Sequence, residues 1–495
     1  MKKRMKRLCA LGLALSLFLL SGGCEKQAQI LDPNNPVHIT VWHYYNSAQL
    51  VAFDACVAEF NQTRGRELGI YVESRSKGGV NDLAASVLDA ARGIAGAETL
   101  PHIFGAYPDS AYDVWELGLT ANLDDYLTDE EEAEYVESFW EEGVLGEGNS
   151  VIFPVAKSTE LLFMDAAAWD RFAADVRGLD QMDSQLATWE GILEAAELYY
   201  TYTDAQTPDI PHDGKALIGI DSSANLVLAA MKQQGIDMMI NDGGRAVIDL
   251  DKEALRRVWD AFYVPTVMGW YGNAGRYRSD DVKTGVLMGF VGSSTGSSYF
   301  PDVVTLDDGT QRPAKLAVFL MPTFKDGDRV AIQQGGGMVI TKSDREHEYA
   351  SAEFLKWFTE TERNIAFAMS SSYFPVKEEA IARMDEAITA LEKGGGENAA
   401  LVFRKALEQM DTHVKYHTPP FEGRLAVRYI LDALQDGAVA VRTKLLEETA
   451  RGSDYTLLAR AYCGDKAFEA WYQDLEKAIM EAVRVSGVAV SYVSH

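Results

Sequence analysis

The sequence predicts an α/β protein with at least two lobes, and three observations support this prediction. In the first 120 residues, β-branched strand patterns alternate with amphipathic helical patterns, as in parallel βαβ units. Without its first 23 residues, the 495-residue chain still holds 472, which suits two or three domains rather than one core. A proline-marked segment near residue 154 then begins a second series of strands and helices.

Three strand–loop–helix units open the chain. The strands VHITVW, GIYVES and PHIFGAY are followed by the helical patterns LVAFDACVAEFNQT, DLAASVLDAARG and PDSAYDVWELG. In open parallel sheets, ligands lie beyond the carboxyl ends of the strands. The loops HYYNS, SRSKGG and AYPDS are therefore candidate ligand loops.

The second half of the chain continues the pattern and then becomes mostly helical. TWEGILEAAELYY is predicted to be a helix capped by Thr188, and ALIGI and VLMGFVG are predicted strands. AEFLKWFTETERNIAFAM is predicted to be one long helix that ends at SSSYFPV, and helices dominate from about Lys377 onward.

The amino terminus predicts export and a lipid anchor. MKKRMKR carries five positive charges, and Leu8 to Leu20 carries none. Because this apolar run is shorter than the roughly 20 residues that span a bilayer, residues 1–23 are predicted to be a signal peptide. LLSGGC resembles the lipobox of bacterial lipoproteins, with Leu20 one position further from Cys24 than in the commonest form. Residues 24–36 would be the lipidated end and a flexible spacer, whereas the alternative is an ordinary secretory signal with an incidental cysteine.

Charge and cysteine usage exclude several classes of protein. Removal of the five leader charges changes the net charge from −28 to −33, so we expect no nucleic-acid partner. The same charge argues against a body that lies flat on an anionic membrane. Beyond Cys24, only Cys56 and Cys463 remain in the folded part. Two free thiols are favoured, and a disulfide between them is the alternative.

Three motifs suggest chemistry that other features do not support. Gly292-Ser293-Ser294-Thr295-Gly296 matches a nucleophile elbow, but SSYFPD stands where the elbow needs a helix. The glycines after Gln334 precede a strand, so we expect close backbone approach rather than a nucleotide site. His413 and His417 lack a third zinc ligand and are expected at an exposed helix end. We therefore expect no catalytic residue, no metal and no cofactor.

Aromatic side chains concentrate in loops that also contain Gly, Asn and Ser. Flat apolar faces with polar edges suit ligands that have C–H faces and hydroxyl rims. Core packing is the alternative for each of them, and for Trp42 the two interpretations weigh equally. The residues concerned are Trp42, Tyr44, Tyr45, Tyr107, Trp270, Tyr271 and Tyr373.

Several of these segments, taken in order, resemble one family. VHITVWHYYNS, FPVAKSTELLFMD, TWEGILEAAELYY, VLMGFVGSS, LMPTF with GGGMVITKS, EFLKWFTETERNIAF and SSYFPV are similar to the family 1 extracellular solute-binding proteins. These are the maltose-binding-like receptors of ABC importers. The resemblance covers residues 37 to about 475.

The resemblance implies a two-lobed, periplasmic-binding-protein-like fold with a hinge that is crossed more than once. Crossings are expected near Pro154–Lys157, Met321–Phe324 and Phe374–Lys377. Lobe 1 would comprise residues 37–156 and 322–374. Lobe 2 would comprise residues 157–321 and 375–495.

The resemblance also implies a function and a site. The chain would be a monomeric, non-enzymatic substrate-binding receptor that captures an extracellular carbohydrate and delivers it to an ABC permease. It would be anchored by lipid to the cell membrane, on the extracellular or periplasmic side. The expected ligand-binding residues are Tyr44, Tyr45, Lys77, Tyr107, Asp109, Glu160, Ser222, Asn225, Trp270, Ser293, Ser294, Gly336, Tyr373 and Arg424.

One departure from the family leaves alternatives open. The VLMGFVGSS loop has serines where many sugar-binding relatives place a tryptophan, which weakens the case for a long maltodextrin. Lys77, Arg276 and Arg278 suggest a glycerol phosphate ester instead, although the arginines could equally pair with Asp280 and Asp281. A secreted hydrolase that uses Ser294 and a purely structural surface lipoprotein are the alternatives from other classes.

Overall fold

The structure is a computed structural model, and it describes residues 30–146, 148–179, 181–242, 245–306 and 308–493. The predicted signal peptide and Cys24, the predicted site of lipid attachment, lie outside the described residues. Within the described ranges, no helix combines the length and apolarity needed to cross a bilayer.

The first lobe is built on a five-stranded mixed sheet. In sheet order, its strands are Ile70–Ser76, Val37–His43, Ile103–Ala106, Gly337–Ile340 and Ile152–Pro154. The first three run parallel, as the βαβ pattern predicts, and the fourth runs antiparallel to both of its neighbours. The helices of this lobe are Ser47–Gln62, Arg64–Leu68, Val80–Ala91, Pro108–Glu116, Asp129–Glu132, Glu137–Glu141, Arg345–Phe358 and Thr361–Ser371.

The second lobe is built on a separate sheet. Its strands, in order, are Val414–Tyr416, Val330–Gln334, Ser158–Asp165, Leu287–Ser293 and Ala216–Ile220, with Leu316–Phe319 also paired to Ser158–Asp165. Strands Met239–Asp242, Arg245–Ile248 and Val490–Tyr492 form a small sheet beside it. The helices are Ala166–Asp175, Met182–Gln185, Trp189–Asp204, Ser223–Gln233, Lys252–Val258, Val264–Met268, Arg278–Lys283, Glu378–Ala382, Met384–Lys393, Glu397–Thr412, Arg424–Ala450, Tyr455–Cys463 and Asp465–Ser486.

The central strand Ser158–Asp165 explains why the second lobe has a core on each face of its sheet. All eight of its residues are buried. Because side chains alternate between the two faces of a strand, Leu162 and Met164 pack into one cluster, and Leu161 and Phe163 pack into another. Because both faces of this strand are covered, its sequence contains a continuous apolar run, LLFM, rather than alternating apolar and polar residues.

The chain passes between the two sheets at adjacent points. Residues 155–157 join Ile152–Pro154 of the first sheet to Ser158–Asp165 of the second, and residues 335–336 join Val330–Gln334 to Gly337–Ile340. Gly335 has φ +91°, and a Cβ there would lie 2.6 Å from the carbonyl oxygen of Ala156. A third segment lies beside them, since Lys157 and Phe374 form a β-bridge. Glycine is therefore required where the two passages touch.

Three sequence expectations differ from the structure. The second passage was expected near Met321–Phe324, but the chain still forms strand Val330–Gln334 of the second sheet before it crosses. The exact limits of the lobes stay a prediction. The expected long helix is two helices, because Thr359 leaves the helical path and its hydroxyl bonds with the Leu355 carbonyl (2.9 Å) and the Tyr135 hydroxyl (2.8 Å). His413 ends a helix as expected but is buried, and burial lowers its pKa to about 4.

The two cysteines of the folded part lie in different lobes. Cys56 and Cys463 are free thiols, as predicted. Burial raises the pKa of each to about 11, so both are held as neutral thiols.

Candidate functional site

A cavity of about 650 Å³ lies between the two lobes and takes its walls from both. This volume falls within the range of small-molecule sites in proteins. The first lobe contributes one face of helix Val80–Ala91 and the start of helix Pro108–Glu116. The second lobe contributes the first turns of helices Ser223–Gln233 and Arg424–Ala450, together with the loop after strand Leu287–Ser293.

An ion pair spans the cavity from one lobe to the other. Asp109 stands in the first turn of its helix, next to Pro108 at the first position, where a carboxylate is favoured by the helix dipole. Its carboxylate pairs with the guanidinium of Arg424. Arg424 begins its helix directly after Gly423, and its Nε also donates to the Thr418 hydroxyl at 2.8 Å. The pair therefore holds the lobes together across the cleft.

The second lobe presents a hydrogen-bonded polar wall. Asn225 is held at the start of its helix by Ser222, whose hydroxyl accepts the Asn225 backbone N–H (3.2 Å). The Asn225 amide then donates to Glu160 Oε1 at 2.9 Å and accepts from Arg428 Nη2 at 2.8 Å. Gln334 Nε2 also donates to Glu160 Oε1, at 3.1 Å. These bonds fix the donors and acceptors that face the cavity.

Glu160 is the buried centre of this wall. Its pKa is raised from 4.5 to about 7, mainly by burial and with help from the negative charge of Asp221, although the hydrogen bond from Asn225 acts to lower it. The carboxyl group is therefore close to half-protonated at neutral pH. A group of this kind can accept or donate a hydrogen bond, according to the ligand and the pH.

A second buried ion pair underlies the cavity at the hinge. Lys157, in the first passage between lobes, pairs with Glu142 of the first lobe, and their side chains are 4% and 7% exposed. Lys157 Nζ also donates to the carbonyl oxygen of Gly335, in the second passage, at 3.2 Å. Gln333 Nε2 donates to Glu142 at 2.5 Å. One lysine thus ties both passages to the first lobe.

Tyrosines form the part of the first lobe nearest the hinge. Tyr107 and Tyr373 line the cavity. Tyr44 lies behind Tyr107, with the two ring centroids 6.0 Å apart, and its hydroxyl accepts the Gly336 N–H at 3.3 Å. Burial raises the pKa of all three phenols, so they act as neutral hydrogen-bonding groups.

The structure brings some of the sequence-predicted site residues to the cavity and not others. The residues that line it are Tyr107, Asp109, Asn225, Ser293, Tyr373 and Arg424. Tyr44, Glu160 and Gly336 lie directly behind these residues. Their roles in binding stay predictions.

The remaining predicted residues lie elsewhere. Tyr45 packs in the core of the first lobe, and Trp270 packs against the core of the second. Lys77 pairs with Glu98 and stands 3.7 Å over the ring of Trp42. Ser222 lines a smaller cavity of about 360 Å³ in the second lobe.

Ser294 and the basic residues behind the alternative hypotheses lie outside the main cavity. Ser294 is buried, its hydroxyl has no hydrogen-bond partner among the described residues, and a 3₁₀-helix follows it. Arg278 is buried and pairs with Asp281 at 2.8 Å. Arg276 lies against the ring of Tyr277 and lines the smaller cavity. In the described ranges, no group of three or more His, Cys, Asp or Glu side chains is placed to hold a metal ion.

Several lining residues were missed by the sequence analysis. Arg428 stands four residues after Arg424 on a predicted helix, so helical spacing could have revealed it. The same spacing joins Val80, Ala84 and Leu88. The same spacing joins Leu425 and Tyr429, whereas no comparable sequence signal marks other missed lining residues such as Glu142, Ser158, Thr295, Gln333, Gln334, His417 and Thr418.

Three solved structures share this fold. The cyclic α-maltosyl-1,6-maltose binding protein of Arthrobacter globiformis has a TM-score of 0.63 at 17% identity, covering 90% of this chain and 99% of that chain. UgpB from Mycobacterium tuberculosis, in complex with glycerophosphocholine, has 0.62 at 16% identity, covering 91% and 99%. The GacH receptor of Streptomyces glaucescens, solved unliganded and with acarbose, has 0.58 at 14% identity, covering 84% and 99%. No curated protein sequence matches the chain.

The family assignment follows from the sequence match and agrees with the fold. A family model described as bacterial extracellular solute-binding protein matches residues 55–393. That range begins in the first helix of lobe 1, contains all of the passages between the lobes and ends in a helix of lobe 2. It covers more than half of the chain, and the predicted two-lobed fold is confirmed. The chain belongs to the bacterial extracellular solute-binding proteins.

Proposed function

We propose that this chain is the receptor of an ABC importer and that it captures a carbohydrate in the cleft between its lobes. The observation that carries the proposal is the cavity of about 650 Å³ whose lining comes from both lobes. Its polar side chains include carboxylate, amide, hydroxyl and guanidinium groups, which suit a ligand rich in hydroxyls. Fold relatives crystallised with or named for oligosaccharides support this ligand class.

Binding would close the cleft without any reaction on the solute. A ligand that contacts Asp109 and Tyr107 on one side, and Asn225 and Arg424 on the other, meets all of them only in the closed state. It therefore shifts the open–closed equilibrium by the difference in its affinity for the two states. A membrane permease would recognise the closed, monomeric receptor.

The location of the receptor is part of the proposal. The family is extracellular. The lipobox-like LLSGGC adds a lipid on Cys24, which would keep the body at the membrane surface. Replacement of Cys24 by Ser should release the protein from the membrane fraction of the expressing cell. Retention of the C24S protein in that fraction would contradict the anchor.

Neutral or acidic sugars are better supported than glycerol phosphate esters. The three basic residues that suggested a phosphate ester do not line the main cavity, and two of them are paired with carboxylates. The complex of UgpB with glycerophosphocholine shows only that this fold can take such a ligand.

Thermal unfolding of residues 25–495 against a panel of mono- and oligosaccharides and glycerol phosphates tests the proposal. A ligand at about 100 times its dissociation constant should stabilise the native state by roughly 2.7 kcal/mol. Stabilisation by one class of sugar supports the proposal. If no sugar stabilises the protein, whether or not a glycerol phosphate does, the proposal is contradicted.

A further inference from the structure

Arg428 is a cation of the cavity wall that lacks an anionic partner. Within the described residues, its guanidinium makes one hydrogen bond, from Nη2 to Asn225 Oδ1 at 2.8 Å. Among the described residues, no carboxylate forms an ion pair with it, whereas Arg424, one turn earlier on the same helix, pairs with Asp109. A guanidinium carries five N–H donors in a planar fork, so most of the binding capacity of Arg428 is unused.

The nearby carboxylates are already engaged by other donors. The negative charges that act on Arg428 are those of Asp109, Asp432 and Glu160. Asp109 is paired with Arg424, and Glu160 accepts hydrogen bonds from two side-chain amides. Asp432 Oδ1 accepts from the Ser222 hydroxyl and the Ala224 backbone N–H, both at 2.9 Å. Each of the three carboxylates near Arg428 is therefore bonded to another donor, and none of them forms an ion pair with it in the described part of the chain.

The other charged groups of the cavity do not compensate Arg428 either. Glu142 is engaged by Lys157 and Gln333. Asp113 lines the opposite wall, where burial and the charge of Glu422 raise its pKa. Burial, followed by repulsion from Arg424, lowers the pKa of Arg428 itself. A half-buried cation that forms no ion pair has lost part of its hydration, and an anionic ligand group would offset that cost.

The surroundings of Arg428 indicate what the rest of the ligand resembles. Leu425 and Tyr429, on the same helix, line the cavity and are 42% and 57% exposed. Val80 and Leu88 lie on the first-lobe wall of the cavity. Apolar walls and a tyrosine ring suit the C–H faces of sugar rings.

We propose that the ligand is an acidic saccharide, and that Arg428 binds its anionic group through a charge-assisted, two-point contact. The anion is a carboxylate, as on a uronic acid unit, or a phosphate ester on a sugar, since both present two oxygens to the guanidinium fork. This inference rests on the proposed receptor function and specifies its ligand class.

Matched ligand pairs test the inference by titration calorimetry on residues 25–495. One set pairs oligogalacturonides with their carboxyl-reduced, neutral forms. The other pairs sugar phosphates with the same sugars without phosphate. Wild-type protein should bind the acidic member of one set about 10- to 100-fold more tightly than its neutral partner, which corresponds to one charged hydrogen-bonded contact. The set that responds identifies the anion.

Variants then assign the preference to Arg428. R428Q should lose most of the preference for the acidic member over the neutral one, measured as the ratio of the two dissociation constants in the same variant. R428K keeps the charge but not the fork, so it should retain part of the preference. The control R451Q removes an arginine that is 71% exposed at the end of the same helix, and it should leave the preference intact. The unfolding midpoint of each unliganded variant verifies that it folds.

Two outcomes would overturn the inference in distinguishable ways. Neutral members that bind as tightly as acidic ones, or an acidic preference unchanged in R428Q, would contradict the role of Arg428 and leave the sugar receptor standing. An absence of binding to every member, acidic or neutral, would contradict both.

Discussion

The two walls of the cleft are made in different ways. The apolar part of the first-lobe wall, here called the apolar wall, is the outer face of helix Val80–Ala91, where Val80, Ala84 and Leu88 recur every four residues. The second-lobe wall is a polar network in which Asn225, Gln334 and Arg428 are cross-linked around Glu160. The polar wall can distinguish ligands by their hydrogen-bonding groups. The apolar wall can pack against a bound ligand when the cleft closes.

The difference also separates stability from binding. Glu160 and Asn225 of the polar wall are buried and bonded to each other, so their removal should disturb the fold as well as the site. Side chains of the apolar wall face the cavity, so their removal should lower the affinity for the ligand more than the stability of the fold. Four predictions follow this division, in decreasing size of effect on the free energy of unfolding.

The largest effect is expected for the buried ion pair between Lys157 and Glu142 at the hinge. Lys157→Met leaves the buried Glu142 without its cation, and this should lower the free energy of unfolding by about 3–5 kcal/mol. Urea denaturation measures the loss. The double variant K157M/E142Q removes both charges and should recover much of it. A loss below about 1 kcal/mol in K157M would show that the pair does not stabilise the hinge.

The next effect depends on pH and concerns Glu160. Its folded pKa of about 7 lies above its ordinary value of 4.5, so the folded state binds more protons than the unfolded state between these values. Stability relative to Glu160→Gln should therefore be greatest below about pH 4.5 and should fall by about 3 kcal/mol as the pH rises past 7.

Urea denaturation of wild type and E160Q at pH 5, 6, 7 and 8 measures this difference. Subtraction of the two curves removes the titration of groups that do not interact with Glu160, and leaves that of Glu160 together with its coupling to Asp221. A difference that does not change with pH would mean that Glu160 titrates normally in the folded protein.

The two faces of helix Val80–Ala91 provide a matched test of the apolar wall. Leu83 is 1% exposed and packs in the lobe core, whereas Leu88 lines the cavity. Leu83→Ala should lower the free energy of unfolding by about 2–5 kcal/mol, and Leu88→Ala by about 1 kcal/mol or less. Chemical denaturation compares the two variants. Equal losses would mean that the cavity face is part of the core.

The smallest effect is expected for the ion pair across the cleft. Asp109→Asn removes its charge, and because the pair is partly exposed to the cavity, the loss should be about 1 kcal/mol. The surface pair Glu447–Arg451, at 3.1 Å and more than half exposed, is the control. Glu447→Gln should change the stability by less than D109N in the same denaturation assay. A larger loss of stability in E447Q than in D109N would contradict the claim that the Asp109–Arg424 pair holds the lobes together.

Much of the fold could be predicted because strand and helix patterns are local. VHITVW, GIYVES and PHIFGAY each became a strand of the first sheet, and TWEGILEAAELYY became a helix that Thr188 caps through the Gly191 N–H at 3.1 Å. The second passage was placed too early because LMPTF and QQGGG both contain residues that end a strand. Only the pairing of Val330–Gln334 with distant strands distinguishes them.

The site could be predicted only in part, because its walls depend on which way each side chain points. Tyr44 and Tyr45 are neighbours in one loop, yet Tyr44 lies behind the cavity wall and Tyr45 packs among core phenylalanines. Arg428 was missed because its importance comes from the partners that other residues have already taken. Helical spacing from Arg424 places Arg428 near the site, but Asp109, Asn225 and Glu160 come from segments more than 200 residues away, which no local pattern indicates.

The most direct test of the central claim is small-angle X-ray scattering of residues 25–495 with each saccharide of the panel. The claim is that a solute binds between the lobes and closes them. It predicts that the radius of gyration falls with the saccharide that stabilises the protein and stays constant with those that do not. A stabilising saccharide that leaves the radius of gyration unchanged would contradict binding by closure of the cleft.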